Sequence, residues 1–166
     1  MDKEKIKKLL DNLDENSNSV NKLVDSIIGK YTKDLDEYIE NIRDKINDDN
    51  LSDVELDRIT VELPVYIYFA NEKLENLGVE SDLAKSMKSE AYSNSYLNAE
   101  GTIPERESSA ELDTVEEEVI EKAHRRAYKK LQQKVEKAEN IYTGVKKVVD
   151  KRTRELTLSN MTRGDG

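Results

Sequence analysis

The side chains most suited to chemistry are cations. Between Lys122 and Arg154, twelve Lys and Arg stand against three acidic residues, Glu136, Glu139 and Asp150, in a 166-residue chain whose net charge is −9. Lys122, Arg125, Arg126, Lys129, Lys130, Lys134, Lys137, Lys146, Lys147, Lys151, Arg152 and Arg154 form a basic run that, repeated on an oligomer, could follow a phosphate backbone. Tyr128 and Tyr142 lie among them, where a ring could stack a base of single-stranded nucleic acid. Residues 1–121 hold fourteen basic and thirty-one acidic residues, so the run could equally pack beside acidic helices as ordinary charge complementarity. A third reading makes the acidic part itself a nucleic-acid mimic.

Other motifs carry less. His124 sits beside Arg125 one residue beyond an apolar face, with no evident carboxylate or nucleophile partner, and general acid–base work needs both geometry and a tuned pKa. Gly29-Lys30-Tyr31-Thr32 resembles the end of a phosphate-binding loop, but Val24 stands where the first glycine belongs. Asp48, Asn50 and Ser52 alternate like calcium ligands without the central glycine or closing glutamate. Arg163-Gly164-Asp165 spells an adhesion tripeptide in what reads as a polar tail. There is no Cys, hence neither a disulfide nor a thiolate zinc site. The expectation is a protein that is not an enzyme, with no catalytic residue, metal or cofactor.

The elements that would position these residues are helices. Only 36% of the chain is hydrophobic and 38% is charged, a composition that suits long helices burying one stripe each. Ile6, Leu9, Leu10 and Leu13 mark a short first helix, and the polar run 14–19 predicts a break. A second stripe runs from Val20 to Ile46. Ser52 and Glu55 form a capping box for a third helix that Gly78 closes, with a kink or restart near Pro64; the β-branched run 61–69 could also be a strand. Ser81 caps a fourth helix, ended by Gly101.

Residues 102–109 read as a connector, and a last helix spans 110–158 before a mobile tail, 159–166. The predicted fold is all-α: an elongated bundle with an acidic helical region over 1–101 and one long basic C-terminal helix. The apolar positions of that helix recur about every 3.67 residues, which disfavours a left-handed zipper. As a rod of about 75 Å it needs a partner for its apolar edge, either the stripe 20–46 in antiparallel or the same helix of another subunit. The edge residues Leu131, Val135, Ala138, Ile141, Val145 and Val149 are assigned to oligomer contact. No run of about 18 apolar residues occurs and the start, Met1-Asp2-Lys3-Glu4-Lys5, is charged, so a cytoplasmic protein is expected.

Leu63-Pro64 followed by Tyr66 and Tyr68, the Ala-rich stretch around Ala91-Tyr92, and the long closing helix through Ala127-Tyr128-Lys129-Lys130-Leu131 to Leu156 resemble the phage UvsY-type recombination mediators over residues 54–158. The resemblance implies a helical oligomer that binds single-stranded DNA and contacts a recombinase. The acidic first 121 residues and the extra N-terminal helices depart from that pattern. The competing reading is an acidic helical scaffold, or an inhibitor of a host nucleic-acid enzyme, acting by protein–protein contacts.

Overall fold

The computed structural model describes the backbone of residues 3–47 and 51–163, and side chains within 17–46, 51–159 and at 161. Four helices account for nearly all of it: α1 (Lys3–Asn47), α2 (Asp53–Asn98), α3 (Ile103–Asp113) and α4 (Val115–Arg163), with no strand among the described residues. The all-α expectation is met, and 61–69 is helical.

Several boundaries differ from those read in the sequence. The run 14–19 does not break α1. It contains neither Gly nor Pro, and Asp, Asn and Ser cost only about 0.5 kcal/mol each in a helix, too little to stop one held by packing on the next turns. Gly78 does not close a helix either, because α2 runs through it and through Pro64. A Cβ at Gly78 would lie 3.3 Å from Tyr128 Cε2, so this glycine serves close packing between α2 and α4.

The expected connector 102–109 is mostly helix α3, and α4 starts at Val115, after buried Thr114, instead of continuing from Ala110. The Thr102 amide and hydroxyl both donate to Glu105 at 2.8 Å, a capping box, and Pro104 fits the first turn, where no amide donor is needed. The tail is helical to Arg163; Asp48, Asn50, Gly164 and Asp165, named above as motif residues, lie outside the described residues. The Ser52–Glu55 box that starts α2 forms as expected, with the Ser52 amide donating to Glu55 at 3.2 Å and the Glu55 amide to Ser52 Oγ at 3.3 Å.

The chain divides into two compact units: Met1–Tyr31 with Lys73–Leu131, and Thr32–Glu72 with Gln132–Gly166. In the first, Val20, Val24 and Ile28 of α1 are buried together with Leu77, Ala84, Ala110, Ala123, Ala127 and Leu131. There α2 runs antiparallel to α4, with Lys88 near Glu118 and Glu121 and Glu80 near His124. In the second, Leu35 and Ile42 of α1 meet Leu56, Ile59, Leu63, Ile67 and Ala70 of α2 and Val135, Ala138 and Val145 of α4 as its buried apolar set. There α2 runs antiparallel to α1, shown by Tyr38 stacked on Tyr66 at 4.4 Å and Lys45 paired with Glu55 at 3.0 Å. The antiparallel partner of α4 is thus α2, not the stripe 20–46.

Candidate functional site

Half of the basic run is engaged within the chain. Lys130 pairs with Asp25 at 2.8 Å, Arg152 with Asp53 at 2.6 Å, and Lys134 with Asp36, beside a Thr32 hydroxyl that donates to the same carboxylate at 2.6 Å. These three pairs tie α4 to α1 and α2. Lys122 bonds Glu118, Arg125 lies 3.4 Å from Glu121 and Lys151 3.8 Å from Glu155, all one turn apart on α4. Packing beside acidic helices, the alternative weighed from sequence, accounts for Lys130, Lys134 and Arg152, while the other three cations pair within α4.

The other half, Arg126, Lys129, Lys137, Lys146, Lys147 and Arg154, is exposed and forms no ion pair among the described residues. Tyr128, expected to be free for base stacking, is half-buried with its ring edge on Gly78, and Tyr142 is half-buried as well.

The residues assigned to oligomer contact need correction. Leu131, Val135, Ala138 and Val145 are no more than 7% exposed inside a single chain, so α1 and α2 already cover them and no second copy can reach them. Only Ile141 and Val149 keep partial exposure.

His124 does have a carboxylate neighbour. Its Nδ1 lies 3.6 Å from Glu80 Oε2, while the Tyr31 hydroxyl donates to Glu80 Oε1 at 2.9 Å, so one residue each of α1, α2 and α4 converge. The Glu80 contact lifts the Tyr31 hydroxyl above its ordinary value. No nucleophile joins them, and among the described residues no group of three His, Cys, Asp or Glu is arranged to hold a metal ion. Sequence could not show this cluster, because its members lie 49 and 44 residues apart.

A surface missed from sequence lies on α2. Val54, Val61, Val65, Tyr68 and Phe69 are 50 to 77% exposed and fall within an arc of about 100°, opposite the buried stripe of Leu56, Ile59, Leu63, Ile67 and Ala70. Tyr68 and Phe69 pack edge to face at 5.6 Å. Asp57, Glu62 and Glu72 rim the patch, Arg58 is its one cation, and Arg58 pairs with Glu62 at 2.7 Å. The signal was present, since 61–69 is apolar on both faces, but that pattern read as helix–strand ambiguity.

No protein-family model, curated protein or solved structure matches the chain. Among the described residues no helix is long and apolar enough to cross a membrane.

The same contacts set the pH response. Lys45 and the Ser52 cap hold Glu55 below its ordinary value, Arg58 and Tyr38 do so for Glu62, and Lys122 for Glu118. Carboxyls lowered on folding contribute stability that is complete above their unfolded value near 4.5 and is lost as pH falls through the lower folded one. Burial, with the Glu62 carboxylate, pushes Tyr38 up to about 12, a contribution complete below pH 10 and lost as pH rises through the folded value. Melting temperature followed by circular dichroism is therefore expected to be flat across neutrality, falling below about pH 4.5 and above about pH 10. Glu55→Gln should flatten the acid limb, and an unchanged limb would remove this assignment.

Proposed function

We propose that the chain is a non-enzymatic cytoplasmic helical protein that acts by protein–protein contacts, as an assembly scaffold or a regulator, with the outer face of α2 as its contact surface. The supporting observation is the exposed patch from Val54 to Phe69. Five large apolar side chains together present on the order of a few hundred Å², the size at which exposed patches mark contact sites. In a chain with so little apolar material, leaving that much in water is costly unless a partner covers it.

A photo-crosslinking residue placed at Val65 in cells producing the full chain tests this. Covalent adducts to protein are expected from Val65 and not from the same probe at Lys137. No protein adduct at either Val61 or Val65 would overturn the reading.

A second reading, contact with single-stranded nucleic acid in the manner of the UvsY-type mediators, is favoured by the unpaired half of the basic run. It requires affinity for labelled single-stranded DNA that falls steeply with salt. Neutralising Lys137, Lys146 and Lys147 together should then reduce the log–log slope by about 2. Affinity unchanged by those substitutions removes this second reading.

A further inference from the structure

We infer that the outer face of α2 docks a second copy of this chain, antiparallel about Val65. This rests on the protein-contact reading above and names the partner. The exposed positions Arg58, Val61, Val65, Phe69 and Glu72 recur at intervals of three, four, four and three residues, symmetric about Val65. Their mean spacing of 3.5 residues keeps them on one side of α2, as in a seam that faces another helix, unlike the longer period of the α4 stripe.

The charges on the seam choose the partner and its direction. In a two-fold antiparallel pair centred on Val65, Val65 meets its own copy, Val61 meets Phe69 of the second copy, and Arg58 meets Glu72. The same contacts then form twice, as a two-fold interface requires. A parallel pair in register would set Arg58 on Arg58 and Glu72 on Glu72, which repel. The guanidinium has donors enough for Glu62 of its own helix and Glu72 of the other at once. The Tyr68 hydroxyl donates to Glu72 Oε1 at 3.3 Å, which leaves Oε2 to accept from the partner. A seam whose cation and carboxylate sit at equal distances either side of its apolar centre is complementary to itself.

Light scattering on the full chain is expected to give twice the 19.1 kDa chain mass. Arg58→Glu and Glu72→Arg should each weaken self-association at least about tenfold, because each sets like charges opposite one another. Mixing the two variants should restore the dimer, as should combining both changes in one chain. The three substituted positions, Arg58, Val65 and Glu72, are all exposed, so helicity by circular dichroism should stay at the wild-type level and Val65→Glu serves as a further disrupting variant. A wild-type chain that remains a 19.1 kDa monomer at the highest concentration reached overturns the inference, as does a dimer indifferent to Arg58→Glu, Glu72→Arg and Val65→Glu. Adducts from the Val65 probe to a different protein, with a monomeric wild type, overturn this inference and leave the contact reading standing. Absence of any adduct overturns both.

Discussion

Truncating Leu131 to alanine is expected to lower the unfolding free energy by about 2–5 kcal/mol, as measured by urea denaturation. Leu131 is fully buried, and it lies among alanines, Ala127 and Ala138, that are fully buried too. Alanines bring helix backbones close together, and a backbone cannot collapse into the space a lost isobutyl group leaves. The cavity term should therefore place Leu131→Ala toward the upper part of that range. Leu156→Ala, on the exposed end of the same helix, should change stability by less than about 0.5 kcal/mol. Protein concentration separates the two accounts of this seam. If α4 buries Leu131 within its own chain, the loss is the same at every concentration. A loss that grows on dilution would return Leu131 to a subunit interface.

That result also bears on what the residues alone could reveal. The 3.67-residue recurrence along α4 showed that the helix has an apolar edge, but period does not say whose side chains cover it. Coverage came from pairings 98 to 105 residues apart, Lys134 with Asp36 and Lys130 with Asp25, which no local pattern encodes. Helical class and the Ser52–Glu55 start of α2 were legible because both are set within a few residues. Helix ends are harder to place where a residue type has more than one structural use. Gly78 reads as a stop in the sequence, whereas its lack of a Cβ serves Tyr128 across the helix contact. Pro104 reads as part of a connector, although Thr102 and Glu105 around it form the same capping box as Ser52 and Glu55. The outer patch of α2 escaped for a different reason: a helix apolar on two faces leaves almost no one-sided pattern, so its second face appears only when the first is seen to be filled.

Gly101→Ala is expected to cost about 1–3 kcal/mol, and its cause can be separated into two parts. The backbone there has φ +115°, a conformation that side chains resist, at a strain of about 1–3 kcal/mol. Against this, alanine restricts the unfolded chain and returns about 0.4–1 kcal/mol. The added Cβ would also lie 2.8 Å from Glu105 Oε2, the atom that accepts from both the amide and the hydroxyl of Thr102. Glu105 must then leave its cap, and a lost cap is worth about 1 kcal/mol. The displaced cap matters because α3 is held against the end of α2 at few points: Arg106 donates to the Tyr96 carbonyl at 2.8 Å and Ser95 to Asp113 at 2.5 Å. A double-mutant cycle with Glu105→Ala resolves the two parts. If Gly101→Ala already expels Glu105, the double variant should be more stable than the summed single losses imply, by about 0.5–1 kcal/mol. Strict additivity would mean that Glu105 keeps its cap and that the whole cost is backbone strain.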